Sequence, residues 1–292
     1  MRDFHIVKLV VVGVGLIGGS VAAALKRRMV VDRVIGVGRG NANMQQALAL
    51  GVIDEIAQDL SSAARDADLV LVAVPVRQTA GVLQQLRESV QRGAIVTDAG
   101  STKRDFARMA RDAFGTAVKQ VVPGHPIAGA ERTGVAAADP DLFSGKRTVL
   151  TPGPDTDPEA VDRVASMWRV CGAEVIQMSP EHHDAVFSAV SHLPHVLSYA
   201  LVDMIASRSD AKELFSFAAS GFRDFTRIAG SSPEMWRDIC AANGDQLLRD
   251  IDAFQRALAV LADHIRSGEM EQVEAVFAAA AAARNAWASG SA

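Results

Sequence analysis

The chain has 292 residues, 49% of them hydrophobic and 22% charged, so it can bury a substantial core and is long enough for two domains. Its formal net charge of −4, with no basic tract or aromatic platform, excludes a nucleic-acid groove or an anionic membrane surface as the main partner. We expect no signal peptide and no apolar run of membrane-spanning length, and the spacing of Cys171 and Cys240 is typical of reduced thiols in a cytoplasmic protein.

A strand, a glycine loop and a helix are predicted in succession near the start. The segments VKLVVV, GVGLIGGS and VAAALKRRM follow one another from residue 7 to residue 29. In a G-x-G-x-x-G pattern the first glycine permits the tight turn, the second lets a pyrophosphate approach, and the third lets the helix pack on the strand. This context predicts a nicotinamide dinucleotide site, with a flavin or an empty structural loop as alternatives. The residues expected to contact the dinucleotide are Gly13, Gly15, Leu16, Ile17 and Gly18.

The second predicted strand, RVIGVG from Arg33, ends in Gly38 and is followed by Arg39. An acidic residue at this place would accept a hydrogen bond from the free ribose 2′-hydroxyl of NAD. Glycine removes the carboxylate that would repel a 2′-phosphate, and arginine offers a fork that can bind one. The pair therefore favours NADP, or use of both cofactors. The alternative is that Arg39 stacks on adenine, which leaves NAD acceptable.

Two further buried strands are predicted next. ADLVLVAVPV from residue 67 is continuously apolar, and it ends at Val74 and Pro75, where we expect the cofactor. AIVTDAGSTK from residue 94 ends in polar residues, and STKRDFARMARDAF after it predicts a helix capped by Ser101 or Thr102. Ser101 is thus either a helix cap or a site residue on the sheet edge that would hold the nicotinamide.

His125 is the first candidate for a catalytic group. VKQVV from residue 118 predicts a short buried strand, and GHPIAG from residue 124 predicts an immediate turn. The carboxyl ends of parallel strands are where ligands bind. A loop histidine satisfied by the backbone is the alternative that the position alone leaves open.

From about Pro180 the pattern is helical to the end of the chain. The predicted fold is therefore α/β, with a Rossmann-like dinucleotide-binding domain over residues 1–178 and an all-α domain over residues 179–292.

The helical half begins with two histidine-containing segments. Glu181, His182, His183 and Asp184 lie at a helix start without metal-ligand spacing, so we interpret them as an ordinary polar first turn and predict no metal site. SHLPH places His192 and His195 within a helix, one per turn on one face, as substrate ligands or as core histidines bonded to the backbone.

A cationic cluster follows in GFRDFTRIAGSSPEMWRD. It combines forked cations with an indole donor, a set suited to planar carboxylates, and an exposed salt-bridged helix is the alternative. The residues of this cluster are Arg223, Asp224, Arg227, Trp236 and Arg237.

Together these segments resemble the prephenate and arogenate dehydrogenase family of tyrosine biosynthesis. GVGLIGGS, DAGSTK, GHPIAGAERTGV, SHLPH, and GFRDFTRIA followed by MWRD occur in that family's order and span nearly the whole chain. The resemblance implies the short monofunctional form, without an ACT or chorismate mutase segment. It also implies that the helical domain is a dimerisation domain, so we expect a homodimer.

The resemblance also implies the chemistry. The family oxidatively decarboxylates a cyclohexadienol: hydride passes to the nicotinamide while a base accepts the hydroxyl proton. His125 matches that base, Ser101 matches a serine that hydrogen-bonds the same hydroxyl, and Arg227 matches the carboxylate-binding arginine. The residues expected to contact substrate are His192, His195, Arg223, Arg227, Trp236 and Glu131, the last at the pocket mouth.

Three positions depart from the family's pattern. Arg223 is often lysine in relatives, Ala130 lacks a hydroxyl that some relatives have, and Gly38 lacks the acid of NAD-using members. Prephenate is the predicted substrate, and arogenate, alone or as a second substrate, is the nearest alternative. A hydroxyacid or imine reductase, and a redox-sensing NADP-binding module that has no need of His125, are more distant alternatives.

Overall fold

The computed structural model describes residues 4–91, 93–130 and 132–290, so Glu131, predicted at the pocket mouth, lies outside the described residues. The strands are β1 (Ile6–Val12), β2 (Val31–Val37), β3 (Glu55–Ala57), β4 (Leu69–Val72), β5 (Ile95–Asp98), β6 (Val121–Val122), β7 (Gly124–Pro126), β8 (Arg147–Leu150) and β9 (Glu174–Gln177). The helices are α1 (Leu16–Arg27), α2 (Asn41–Ala49), α3 (Leu60–Ala64), α4 (Val76–Ser89), α5 (Arg104–Phe114), α6 (Pro158–Val170), α7 (Pro180–Phe187), α8 (Leu193–Ala206), α9 (Ala211–Ser216), α10 (Ser220–Thr226), α11 (Pro233–Ala242), α12 (Gly244–Ser267) and α13 (Met270–Ala288).

The main sheet is parallel, with strand order β3-β2-β1-β4-β5-β6. Successive strand residues point to opposite faces, so Leu9 and Val11 of β1 enter one apolar core while Val10 and Val12 enter another. Helices α1 and α6 cover the first face, and α4 and α5 cover the second. The predicted Rossmann-like α/β fold followed by helices is confirmed. In this fold ligands bind beyond the carboxyl ends of the strands.

A second, three-stranded sheet corrects two predictions. Only Val121 and Val122 of the predicted strand VKQVV are extended, because Gly115–Gln120 forms a 3₁₀ helix. His125 lies not on a loop but on β7, which pairs antiparallel with β8 and places His125 opposite Val149. Strand β9 completes this sheet, parallel to β8. The backbone ladder on β7 holds His125 more firmly than a loop would.

The predicted cap of helix α5 is wrong. Its N-cap position is Lys103, with no side-chain cap of its own, rather than Ser101 or Thr102. The carboxylate of Asp184 in α7 instead accepts the backbone N–H groups of Lys103, at 2.8 Å, and Arg104, at 3.0 Å. The side chain of Asp184, which is distant in sequence, therefore caps α5 in place of the predicted hydroxyl of Ser101 or Thr102.

The chain forms two compact units, residues 4–244 and 245–290. The second contains all of α12 except its first residue, together with α13, and it exposes large apolar side chains such as Phe254, Leu258, Phe277 and Trp287. The predicted domain division between residues 178 and 179 stays a prediction.

One helical run is more apolar than we expected. Within the described residues, Pro180–Ala206 is long and apolar enough, by length and composition, to cross a membrane. The expectation that no run reaches such a length is wrong on this criterion. The finding is weak evidence for a membrane span, because a core helix passes the same test, and the run buries the polar side chains of His183, Asp184 and His192.

Candidate active site

The glycine loop after β1 has the shape that a dinucleotide pyrophosphate requires. Gly13 has φ +95°, and a Cβ there would meet the carbonyl oxygen of Ala73, while a Cβ on Gly18 would meet the carbonyl oxygen of Gly13. Gly15 has open space around its Cβ position. The first and third glycines are therefore required for packing, and the second keeps the loop open. Helix α1 begins directly behind it at Leu16, ahead of the predicted start at Val21.

A cavity of about 620 Å³ opens over this loop. Of the predicted cofactor residues, Gly13, Gly15, Gly38, Arg39, Val74 and Pro75 line it, whereas Leu16, Ile17, Gly18 and Ser101 do not. A Cβ at Gly38 would lie 2.7 Å from Sδ of Met44, a core side chain with 2% exposure. An acidic residue at position 38 would therefore require the side chain of Met44 to shift.

At the carboxyl edge of the sheet, a buried ion pair ties β5 to β7. Lys103 Nζ donates to Oδ2 of Asp98 at 2.6 Å and to the carbonyl of Gly124 at 2.7 Å. Asp98 also accepts the N–H of Gly124 at 2.9 Å. Because Ser101 lies between Asp98 and Lys103, and His125 follows Gly124, these bonds hold the segment of Ser101, after β5 of the main sheet, against the segment of His125 on β7 of the second sheet.

His125 is joined to two residues of α7. Its Nδ1 lies 2.8 Å from Nε2 of His183, and Nδ1 of His183 lies 2.8 Å from Oδ1 of Asp184. His183 and Asp184 are both fully buried, whereas His125 is half-buried. Phe187 packs against both imidazoles, with ring centroids 5.0 Å from His125 and 4.5 Å from His183.

The electrostatic surroundings favour a neutral His125. Loss of solvent around the ring, together with His183 and the positive charge of Lys103, holds the pKa of His125 well below its usual value. Burial likewise lowers the pKa of His183, against the opposing influence of Asp184. The donors around Asp184, His183 first among them, outweigh burial and hold the pKa of that carboxyl below its usual value. A neutral imidazole can accept a proton, which a catalytic base must do.

The hydroxyl of Ser101 is available to a ligand. The side chain is half-buried and makes no hydrogen bond to any residue that the structure describes. Since the cap of α5 is Asp184, Ser101 is not consumed by helix capping.

The helical run after Pro180 is not a regular α-helix around its histidines. A π-helical segment, Ser188–His192, separates α7 from α8, so His192 and His195 are not on one regular α-helical face as predicted. Both imidazoles nevertheless contact Trp236, His195 by stacking at a centroid distance of 3.6 Å and His192 edge-on at 6.0 Å.

The two histidines differ in exposure. His192 is 1% exposed and lies 3.2 Å from the side-chain amide of Asn243, which also donates to the carbonyl of Asp184. His195 is half-buried, and its Nδ1 donates to the carbonyl of Ser191 at 2.8 Å, which leaves Nε2 free of hydrogen bonds to described residues. A substrate contact is therefore more accessible to His195 than to His192.

Two arginines of the predicted cationic cluster lie on α10 and directly after it. Arg223 and Arg227 are exposed, on α10 and at the start of the 3₁₀ turn that follows it. The charge of Arg227 contributes to a lowered pKa of His195, behind the larger effect of burial. Trp236 is buried, and its Nε1 has no hydrogen-bond partner among the described residues. Arg237 instead forms ion pairs with Asp238 and Glu234.

Sequence reasoning missed His183, Asp184 and Asn243. It interpreted the EHHD segment as an ordinary helix start, which holds for Glu181 and His182, both exposed, with Ser179 as the cap. The signal it passed over was a second histidine and an aspartate on the inward side of the same turn. The described residues contain no group of three or more His, Cys, Asp or Glu side chains that could hold a metal ion.

A doubly wound sheet with a glycine loop at its switch point, and a half-buried histidine on β7 beside the carboxyl edge of that sheet, are typical of a dinucleotide-dependent oxidoreductase. The models of the prephenate dehydrogenase nucleotide-binding domain and dimerization domain match residues 21–177 and 179–279. This chain belongs to the prephenate dehydrogenase family.

Individual relatives agree with this assignment. The prephenate dehydrogenase of Bacillus subtilis is 38% identical over 267 residues, which cover 91% of this chain and 72% of that protein. The structure of prephenate dehydrogenase from Aquifex aeolicus in complex with hydroxyphenyl propionate and NAD+ matches with a TM-score of 0.89 and 35% identity, over 95% of this chain and 97% of that one. The arogenate dehydrogenase of Synechocystis matches with a TM-score of 0.82 and 30% identity, over 96% and 99%.

Proposed function

We propose that this protein oxidatively decarboxylates prephenate to 4-hydroxyphenylpyruvate with NADP or NAD, and that His125 accepts the proton of the ring hydroxyl. The observation that carries the proposal is the state of His125. It is a half-buried, neutral imidazole whose Nδ1 is occupied by His183 and whose Nε2 makes no hydrogen bond to a described residue. It lies on β7, next to Gly124, which bonds to Lys103 and Asp98 on either side of the Ser101 loop.

His125 and Ser101 have separate roles in the proposed reaction, beside that of the nicotinamide. A bound nicotinamide supplies the hydride acceptor for the carbon that carries the hydroxyl. Nε2 of His125 takes the hydroxyl proton as the carbonyl forms, and the Ser101 hydroxyl holds the same oxygen by a hydrogen bond. The ring carboxylate then leaves as carbon dioxide, its electrons pass through the ring to the new carbonyl oxygen, and that oxygen regains a proton as the ring becomes aromatic.

The helical side supplies donors for a dianionic substrate. Burying a carboxylate without a partner is costly, so such a substrate needs cations or N–H groups. We assign the main carboxylate contact to Arg227, supported by Arg223, the unpartnered indole N–H of Trp236, and His195. His192 and Glu131 complete the proposed set; His192 is buried and lies 3.2 Å from the side-chain amide of Asn243.

We propose NADP as the preferred cofactor. Arg39 lines the cavity over the glycine loop, and Asp59, an acidic residue that also lines it, uses its carboxylate to cap α3 by accepting N–H groups of Ser61 and Ser62. Gly38 cannot gain a carboxylate without moving Met44. The Aquifex relative was solved with NAD+, so NAD is the second candidate.

Arogenate is the second candidate substrate. It differs from prephenate by an amine in place of the side-chain keto group, remote from the reacting hydroxyl. The Synechocystis relative, an arogenate dehydrogenase, supports this possibility at 30% identity.

We also propose a homodimer of a two-domain chain, with residues 1–178 binding the dinucleotide and residues 179–292 forming the dimerisation domain. The matched dimerization-domain model supports it. So do the apolar side chains exposed in the second half of the chain, among them Phe217, Phe254, Leu258 and Phe277.

One assay tests substrate and cofactor together. Initial rates are measured with prephenate and with arogenate, each with NAD and with NADP, for the native protein and for His125→Asn. We expect the highest rate with prephenate and NADP. The His125→Asn rate should be lower by about 10²- to 10⁴-fold with little change in KM. Absence of turnover with all four pairs would exclude the proposed function.

A further inference from the structure

Asp184, His183 and His125 form a continuous chain of hydrogen bonds that leads from the start of α7 to the edge of the sheet. Both links, Asp184 Oδ1 to His183 Nδ1 and His183 Nε2 to His125 Nδ1, are 2.8 Å long. His183 therefore uses both ring nitrogens within this chain of hydrogen bonds, and His125 uses one, Nδ1. Of the ring nitrogens in this hydrogen-bond chain, only Nε2 of His125 has no partner among the described residues.

The Asp184 end of the chain is fixed. Its Oδ1 also accepts the backbone N–H of Lys103, and its Oδ2 accepts the N–H and the Nε–H of Arg104, at 3.0 and 3.3 Å. The side chain has no exposure, so these donors hold the carboxylate in one orientation. An ionised carboxylate only accepts hydrogen bonds.

The direction of every bond in the chain follows from that end. Since Asp184 accepts, Nδ1 of His183 carries the hydrogen, and a neutral His183 must then accept at Nε2. That acceptor requires the hydrogen of His125 to lie on Nδ1. The lone pair of His125 is consequently on Nε2.

Charge balance favours a neutral His183. Asp98 is paired with the Lys103 ammonium at 2.6 Å, and Asp184 is paired with the Arg104 guanidinium. A protonated His183, with no exposed surface and with Phe187 against its ring, would add a further positive charge to this buried cluster.

We propose that His183 and Asp184 are positioning residues that fix the tautomer of His125, so that Nε2 presents its lone pair to the substrate hydroxyl. The proposal rests on the proposed function, because it assigns a role relative to a base. Without an acceptor at Nδ1, His125 is free to carry its hydrogen on Nε2, and that tautomer cannot accept the proton.

The tautomers can be read directly in the native protein, without turnover. Nitrogen-15 NMR of histidine-labelled protein at neutral pH distinguishes a ring nitrogen that bears hydrogen from one that bears a lone pair. Spectra of His125→Asn and His183→Phe assign the two residues among the seven histidines of the chain. We expect both to be neutral with hydrogen on Nδ1. Hydrogen on Nε2 of His125, or a doubly protonated His183, overturns the proposal.

A kinetic comparison tests the consequence. His183→Phe keeps a ring in the buried site but removes the acceptor, whereas His182→Phe makes the same change at the neighbouring exposed histidine. We expect His183→Phe to lower kcat on the order of 10²-fold with KM changed by less than about threefold, and to put hydrogen on Nε2 of His125. His182→Phe should leave kcat unchanged. Equal kcat values for the two variants would overturn the proposal.

Circular dichroism first establishes whether His183→Phe is folded. If it is not, the nitrogen-15 spectrum of the native protein, with His125 assigned by His125→Asn, still tests the tautomer of His125. The two proposals fail separately. If the native protein turns over neither substrate, the proposed function falls while the tautomers remain measurable. If turnover depends on His125 but its hydrogen lies on Nε2, only the positioning role falls.

Discussion

The ammonium group of Lys103 lies 2.6 Å from Oδ2 of Asp98, and the two side chains are 0% and 3% exposed. Burial lowers the pKa of Lys103 and raises that of Asp98, while the attraction between the two charges opposes both shifts. Through the carbonyl and the N–H of Gly124, the pair also fixes the residue that precedes His125. The ion pair therefore sets the position of the candidate base, and the positive charge of Lys103 also contributes to the lowered pKa of His125.

Removing the Lys103 charge should therefore destabilise the protein. In Lys103→Met the Asp98 carboxylate stays buried without its cation, which typically costs about 3–5 kcal/mol. Lys26→Met is the matched control, because Lys26 and Asp54 form a partly exposed pair, 28% and 37% accessible, for which a loss of at most about 1 kcal/mol is expected. Urea denaturation gives both free energies of unfolding. Equal losses would show that the buried pair has no special contribution.

The dinucleotide half could be predicted from the sequence because its signals are local. The glycine loop, the apolar strands and their order in the chain fix the α/β fold. The hydrogen bonds of the candidate base are not local: His183 is 58 residues from His125, and the Asp184 that caps α5 is 81 residues from Lys103. Ser101 looked like a cap because the pattern around it fits one, and nothing nearby in sequence reveals that a carboxylate from α7 takes that role.

Loss of the Arg227 cation should weaken substrate binding more than catalysis. We expect Arg227→Ala to raise the KM for prephenate by about 10- to 100-fold, because a charged hydrogen bond contributes roughly 1.5–3 kcal/mol, and to change kcat little. The control is Arg208→Ala, which removes an exposed arginine paired with Asp210 on the same helical half. Steady-state kinetics on both variants measure these changes in KM and kcat. A KM equal to that of the control would place the carboxylate site elsewhere.

The assignment of Arg39 to a 2′-phosphate predicts a selective loss. Arg39→Ala should raise the KM for NADP by about 10- to 100-fold while the KM for NAD changes by less than about threefold, because only NADP carries the extra charge. Arg28→Ala, an exposed arginine at the other end of α1, is the control. If Arg39 instead stacks on adenine, the two KM values will rise together, and the preference for NADP will have to come from another residue.

The lowered pKa of His125 predicts activity at mildly acidic pH. The groups acting on the imidazole are His183, His192 and Lys103, and all of them, together with burial, lower its pKa well below the usual value of about 6.5. The neutral form is the active base, so kcat/KM should stay level as the pH falls through 6.5 and be lost only when it passes the lowered pKa. The profile is measured from pH 8 to pH 5 under conditions where the protein remains folded. The same shift makes folding less favourable toward acid, because the unfolded chain binds protons from pH 6.5 downward while the folded chain does not, so circular dichroism must accompany each rate. An acid limb centred at or above about 6.5 would mean that the imidazole acting as base is solvated like a free histidine.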